Sequence, residues 1–395
     1  VTPWNYPAGI TMAEIVPACG AGNTGVYKPA SARGLSGLML GDWARRAGFP
    51  PGLMPRVARR GSATCGGLGH PGGVKGRFTG SVDVGRHVAR RCAERLVPAQ
   101  LELGGKDAAV VAADANLERT ARGVVFGAFV NTGQTCASIE RLYVERPMYD
   151  RLLPRIVELT TELKLGDPSA PDTDMGPLTT KGQLDIVARQ CAEAQEAGAR
   201  ALTGGKQPDG PGFFYPPTIL VDVTDDMEVM REETFGPLLP VVPVDSIDEA
   251  IRRANDSQFG LTASGWTRSK TTAARLQREL DAGVVTINDH AVAFLEQTGS
   301  WGGVRESGIG RAHGEFGMHD LVNVKYVMRD PGTDKAMPWY YPYGEDLTSF
   351  LTAAVPLLYG RGPGKFSTMP ALVMTKRFWK RVRKGTLLAN LHKLF

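Results

Sequence analysis

Cysteine is scarce in this chain and nowhere paired. Cys19, Cys65, Cys92, Cys136 and Cys191 are scattered through 395 residues without a C-x-x-C spacing. An odd, dispersed set argues against a disulfide framework and against a zinc site, and a reducing, cytoplasmic setting is expected. Long apolar runs are also lacking. None reaches transmembrane length, and no signal peptide is expected. Charge of one sign is not in large excess. A formal net charge of +5 gives no footing for nucleic acid, although an anionic cofactor needs only local positive charge. No internal repeat is found. The opening run Val1-Thr2-Pro3-Trp4-Asn5-Tyr6-Pro7 has no lead-in element and reads as the middle of a domain, so an N-terminally truncated fragment is expected.

What is present is an α/β rhythm. The length predicts two or three domains. Apolar β-type segments alternate with amphipathic helical ones from about residue 10 to 330, which implies largely parallel sheets. Helices are predicted over Ser36–Ala47, Val84–Leu96, Leu117–Val130, Met148–Leu163, Thr179–Ala197, Ile247–Asn255 and Lys270–Leu280. Strands are predicted over Ala108–Ala113, Leu142–Val144, Leu239–Val242 and Val284–Ile287. Residues 57–77 read as irregular, with Lys75 and Arg77 standing where an apolar strand belongs. After about Asp330 the rhythm stops. The tail ends in a basic, aromatic run, Arg377 to Lys384, that could touch an anionic membrane surface or pack across the body.

The chemistry concentrates around Cys136, in Asn131-Thr132-Gly133-Gln134-Thr135-Cys136, and Glu102, in Leu101-Glu102-Leu103-Gly104-Gly105-Lys106. A thiolate can attack a carbonyl, and a glutamate can then help water release the acyl group. A lone cysteine is more often a small core residue, so the surrounding motifs decide. They run in order: Pro3–Pro7, Gly22-Asn23-Thr24 to Tyr27-Lys28-Pro29, Phe78-Thr79-Gly80-Ser81, Leu101–Lys106, Gly133–Cys136, Glu232–Pro237, and Gly302 to Arg311. This series resembles the aldehyde dehydrogenase superfamily across residues 1 to about 330. The subfamily resemblance is weakly to the NADP-type succinate-semialdehyde dehydrogenases.

The resemblance implies a Rossmann-type cofactor domain (1–104), an α/β catalytic domain (105–304), a return to the cofactor domain or oligomerisation segment (305–335) and a C-terminal extension (336–395). It implies oxidation of an aldehyde by NAD or NADP, with Cys136 as nucleophile, Glu102 as base and Asn5 as oxyanion donor. Lys28, Gly80, Ser81, Leu103, Glu233 and Phe235 are implied to contact the cofactor. Trp4 is either a core aromatic or a wall of the site, and is counted with that group. Gly80-Ser81 precedes a helix, so its amides could face a pyrophosphate. Ser31 replaces a glutamate common in strict NAD users, which leaves room for a 2′-phosphate. Residues 289–299 are expected at the pocket mouth. A homodimer or homotetramer is implied. Two alternatives stay open: a CoA-acylating relative, and a truncated, silent homologue that acts as a binding protein.

Overall fold

The structure is a computed structural model that describes residues 1–57, 70–290 and 292–330, with isolated positions between 341 and 360. Contacts group the chain into two units, Val1–Val324 and Lys325–Phe395. In the second unit, the described positions from 345 to 359 are helical. Arg59 and Arg60 lie outside the described residues, as does the Arg377–Lys384 run. Among the described residues no helix is long and apolar enough to cross a membrane.

All described strands belong to the first unit. In chain order they are β1 (Gly76–Thr79), β2 (Ala99–Glu102), β3 (Asp107–Val111), β4 (Ile139–Glu145), β5 (Arg200–Ala201), β6 (Thr218–Val221), β7 (Leu238–Val244), β8 (Thr262–Trp266), β9 (Val284–Ile287) and β10 (Gly308–Ile309). They form two sheets. The smaller has the order β1-β2-β10, and the larger β5-β6-β7-β4-β3-β8-β9. Only β5–β6 and β10–β2 pair antiparallel.

The larger sheet is parallel because helices cover both of its faces. Side chains of β3 alternate between two cores. Ala108 and Val110 join Leu184, Val187 and Leu220 on one side, while Ala109 and Val111 join Val124, Ile156 and Trp266 on the other. Five covering helices are Leu117–Phe129, Arg146–Thr161, Lys181–Glu196, Ile247–Asn255 and Lys270–Glu279. Four of them start at a side-chain cap. Asn116, Thr180, Ser246 and Ser269 accept from the amides of Arg119, Gln183, Glu249 and Thr272. Each such cap contributes about 1 kcal/mol.

The expectation of irregular backbone up to residue 77 is corrected by β1, which begins at Gly76 and pairs in register with β2. Arg77 is tolerated because its side chain is only half-buried and its guanidinium reaches the carbonyl of Glu14 at 3.3 Å. Lys75 stands just before the strand and pairs with Asp320 at 2.6 Å.

Strand direction places the site. Glu102 and Thr79 lie at the carboxyl ends of β2 and β1. Gly104-Gly105, Cys136 and Glu233–Phe235 precede β3, β4 and β7, at the amino ends of three adjacent parallel strands. The chain crosses from one sheet to the other between Glu102 and Asp107, so the carboxyl edge of the small sheet meets the amino edge of the large one. Ligands of open α/β sheets bind at such carboxyl edges.

Candidate active site

The loop that carries Cys136 is held from several directions. The Leu117–Phe129 helix ends in a tight turn in which Asn131 and Thr132 take left-handed backbone angles, φ 53° and 61°. Gly133 follows at φ 69°, where a Cβ would sit 2.3 Å from the carbonyl oxygen of Gly236. Glycine is needed there for both reasons. The Gln134 side chain accepts from the amide of Thr179 and donates to the carbonyl of Asn131. Tyr6 and Thr135 share a hydroxyl contact of 2.9 Å. Ser138 Oγ donates back to the carbonyls of Gly127 and Ala128.

Asn5 meets this loop directly. Its Nδ2 donates to the carbonyl of Gln134 at 3.0 Å, and its backbone oxygen accepts from Asn131 Nδ2 at 3.1 Å. An amide nitrogen carries two hydrogens, so one is left over once the Gln134 carbonyl is bound. The thiol is half-buried among residues that include Ala137, Leu261, Trp301 and Phe294. Burial pushes its pKa up, and the carboxylates of Asp107, Glu233 and Glu102 push the same way. The Ala137 amide acts in the opposite sense.

Glu102 is also pushed up, to about 8, first by burial and then by the carboxylate of Glu14. Gln100, Arg77 and Arg311 oppose this. Gln100 Nε2 lies 3.4 Å from Glu102 Oε1, while Oε2 is buried without a hydrogen-bond partner among the described residues. Glu14 is anchored by Thr79 Oγ1 at 2.6 Å, and Thr79 is the register partner of Glu102 across β1–β2.

Glu233 lies on the other side of the Gly104-Gly105 turn. Its Oε1 accepts from the Gly105 amide at 3.0 Å, and burial pushes its pKa up to about 8. A Cβ on Gly104 would fall 2.6 to 2.9 Å from that carboxylate. Phe235, at φ 51°, meets Trp4 edge-on with centroids 5.4 Å apart. A Cβ on Gly105 would sit 2.4 Å from the carbonyl oxygen of Cys136 and 2.7 Å from Asp107 Oδ1. A backbone atom cannot swing aside, so Gly105→Ala is expected to shift the thiol. The expected loss in kcat/KM is about 100-fold in a protein whose thermal unfolding still shows a folded chain. Steady-state kinetics checks this.

The other expected positions divide. Lys28 is buried rather than a surface charge, and its Nζ donates to the carbonyl of Pro29 at 3.0 Å. Ser31 is exposed at the start of the short turn Ser31–Arg33. Ser81 caps the Val82–Ala93 helix without a side-chain hydrogen bond, leaving first-turn amides for an anion. Gly80 is a correction. Its amide donates to the carbonyl of Glu102 at 3.0 Å and does not face outward, because Gly80 continues the β1–β2 pairing. Its small size is needed against the Phe78 ring, 2.6 Å from where a Cβ would be. Leu103 is buried, packed where a Cβ on Gly85 would meet it.

His290 is a second correction within the expected pocket-mouth segment. It is buried beneath the Cys136 loop, with Nε2 2.8 Å from the carbonyl oxygen of Ala137. Burial holds its pKa down at about 4, so it is neutral near pH 7 and Nε2 carries the proton. Phe294 packs against the same apolar cluster as Cys136, edge-on to Trp301 at 5.1 Å, whereas Leu295 is exposed. Lys106 and Glu140, not foreseen as site residues, form a buried ion pair of 2.6 Å behind the site.

A half-buried cysteine, a carboxyl whose pKa burial raises and a side-chain amide gather between the carboxyl end of β2 and the amino ends of β3 and β4, a set of groups suited to nucleophilic chemistry at a carbonyl. Comparison with known proteins gives the family. The family model "Aldehyde dehydrogenase family" matches residues 1–327. A betaine aldehyde dehydrogenase of Amaranthus hypochondriacus is 35% identical over 86% of this chain and 68% of its own length. A succinate-semialdehyde dehydrogenase [NADP(+)] of Mycobacterium avium is 38% identical over 83% of this chain and 69% of its own. The NAD+ complex of a Bacillus cereus aldehyde dehydrogenase superposes with a TM-score of 0.80 at 36% identity, covering 82% of this chain and 66% of that one. This chain belongs to the aldehyde dehydrogenase family. It spans about two thirds of the length of these relatives.

Proposed function

We propose that this chain oxidises an aldehyde to a carboxylic acid with NAD or NADP, through a thioester on Cys136. The observation that carries the reading is the buried Glu102 carboxyl, with one oxygen unpartnered among the described residues, at the strand end beside the Cys136 loop. The Cys136 thiol gives up its proton to solvent, and the Sγ thiolate adds to the aldehyde carbon. The oxygen becomes an oxyanion that takes the second Asn5 Nδ2 hydrogen and the Cys136 amide. When bound, the nicotinamide supplies the hydride acceptor that lets the adduct collapse to a thioester. Glu102 Oε2 then removes a proton from water, which attacks the thioester and frees the acid and the thiol.

The residues present fit the cofactor. The glycine cradle at Gly104 leaves Glu233 room to face a ribose, with Phe235 and Trp4 as an aromatic wall. First-turn amides after Ser81 suit a pyrophosphate. Ser31 adds no negative charge against a 2′-phosphate, which supports acceptance of NADP. In this reading residues 1–104 and 305–335 make the cofactor part, and 105–304 the catalytic part. Membership of the two sheets supports the division as far as Ile309, whereas residues from Lys325 onward group into the second unit.

The test is to trap the acyl group. Glu102→Gln, incubated with an aldehyde and NAD or NADP, is expected to accumulate an acyl adduct on Cys136, visible by peptide mass. A single turnover of reduced cofactor without any adduct would sink the thioester route. Asn5→Ala is expected to lower kcat by about 100- to 1,000-fold with little change in cofactor Kd. Steady-state rates beside a fluorescence titration check it.

A further inference from the structure

The Lys106–Glu140 pair is the most deeply buried ion pair among the described residues, with side chains 0% and 2% exposed. Lys106 Nζ donates to Glu140 Oε2 at 2.6 Å and to Thr234 Oγ1 at 3.0 Å. Glu140 gives its other bonds to backbone: Oε2 accepts from the Thr234 amide and Oε1 from the Phe235 amide, each at 2.8 Å. Gln190 completes the ring, with Oε1 2.7 Å from Thr234 Oγ1 and Nε2 3.4 Å from the carbonyl of Glu233. Gln183 holds the Thr234 carbonyl at 2.8 Å.

Burying two charges costs several kcal/mol each unless every polar atom is matched. Here the bonds that offset this cost converge on one target, the Glu233–Phe235 segment. That segment needs holding, because Phe235 sits at φ 51°, a backbone region that bulky residues rarely adopt. The other end of the clamp lies close to the nucleophile. Glu140 is the fourth residue after Cys136, on β4, and Lys106 follows the Gly105 amide that binds Glu233. One carboxylate therefore ties the Cys136 loop to the Glu233–Phe235 wall.

We infer that Lys106 and Glu140 are positioning residues that set the Glu233 carboxylate and the Phe235 ring for the cofactor relative to the Cys136 thiol. The inference rests on the reading of Glu233 as a cofactor contact. A carboxylate can accept from two adjacent amides and a lysine at once; a glutamine presents one oxygen and cannot do so. Loss of the clamp lets Phe235 relax toward ordinary backbone angles and carries Glu233 with it.

The experiment measures NADH and NADPH binding to the full chain by fluorescence titration, which does not require turnover. Unfolding is followed by circular dichroism. Glu140→Gln is expected to fold and to bind at least tenfold more weakly. Lys106→Met/Glu140→Met removes both charges at similar volume, which guards against a variant that fails to fold because one charge is stranded. It is expected to show the same loss. Binding within twofold of the parent chain in either folded variant would overturn the clamp. Glu233→Gln separates the two ideas. If it too binds as the parent, the reading of Glu233 as a cofactor contact falls. If it weakens binding while the Glu140 variants do not, only the clamp falls.

Discussion

Cys136→Ala is expected to abolish aldehyde-dependent formation of reduced cofactor, by about 10,000-fold or more. The size of the effect follows from the route. Without sulfur there is no adduct from which hydride can leave, and no neighbouring side chain can replace it. Asn5 offers an amide, which is no nucleophile, the Tyr6 hydroxyl is engaged with Thr135, and Ser138 donates away from the site. The fold should survive, because removing one half-buried sulfur costs little beside the packing around Ala137, Leu261 and Trp301. Cofactor binding should survive too, since Glu233, Phe235 and Lys28 are untouched. Burial, and then the charges of Asp107, Glu233 and Glu102, raise the pKa of the thiol. Alkylation of Cys136 by iodoacetamide should therefore quicken as pH rises. Rates for Cys136→Ala, with bound cofactor measured in parallel, check the claim. Activity retained within tenfold would remove Cys136 from the mechanism.

Much of the larger sheet was legible in the sequence, for a physical reason. Its strands are buried on both faces and its helices on one, so apolar periodicity carries the signal. Ile247–Asn255 and Val284–Ile287 are found as predicted, and Leu117–Phe129 differs from its prediction by one residue. The smaller sheet was less legible. β1 and β2 have four residues each, and polar side chains in them are satisfied by distant partners such as Glu14. The Gly9–Gly20 helix was missed because it holds Pro17 and glycine at both ends. At the site, Asn5, Glu102, Cys136 and Glu233 stood out by motif. The Lys106–Glu140 pair did not, because its meaning lies in backbone amides 94 and 95 positions away. His290 looked like a pocket residue, as nothing local says that its ring turns under the Ala137 carbonyl. The Gly80 amide looked free for a phosphate until strand pairing claimed it.

Glu102→Gln should move activity and stability in opposite directions. Turnover is expected to fall by about 100- to 10,000-fold, because a glutamine cannot take a proton from water. Stability should rise, and the sign comes from the shifted carboxyl. Folding raises the Glu102 pKa from 4.5 to about 8, chiefly through burial, so the folded state prefers the neutral acid. The resulting stabilisation is fully present below pH 4.5 and is lost as pH rises through 8. Above pH 8 the parent chain must hold a buried charge beside Glu14. A neutral glutamine avoids this, with a gain on the order of a few kcal/mol. The parent and Glu102→Gln should thus unfold at similar temperatures near pH 4.5 and diverge by pH 9, the variant melting higher. Parent activity should run the other way, climbing through about pH 8 as the base ionises. Thermal melts at the two pH values, set beside the parent rate profile, test both halves. A variant no more stable than the parent at pH 9 would mean that the carboxyl is not strained by its site. A rate profile flat from pH 6 to 9 would remove it as the base. The same site that burial makes costly for the fold is the one that keeps the proton acceptor poised for water.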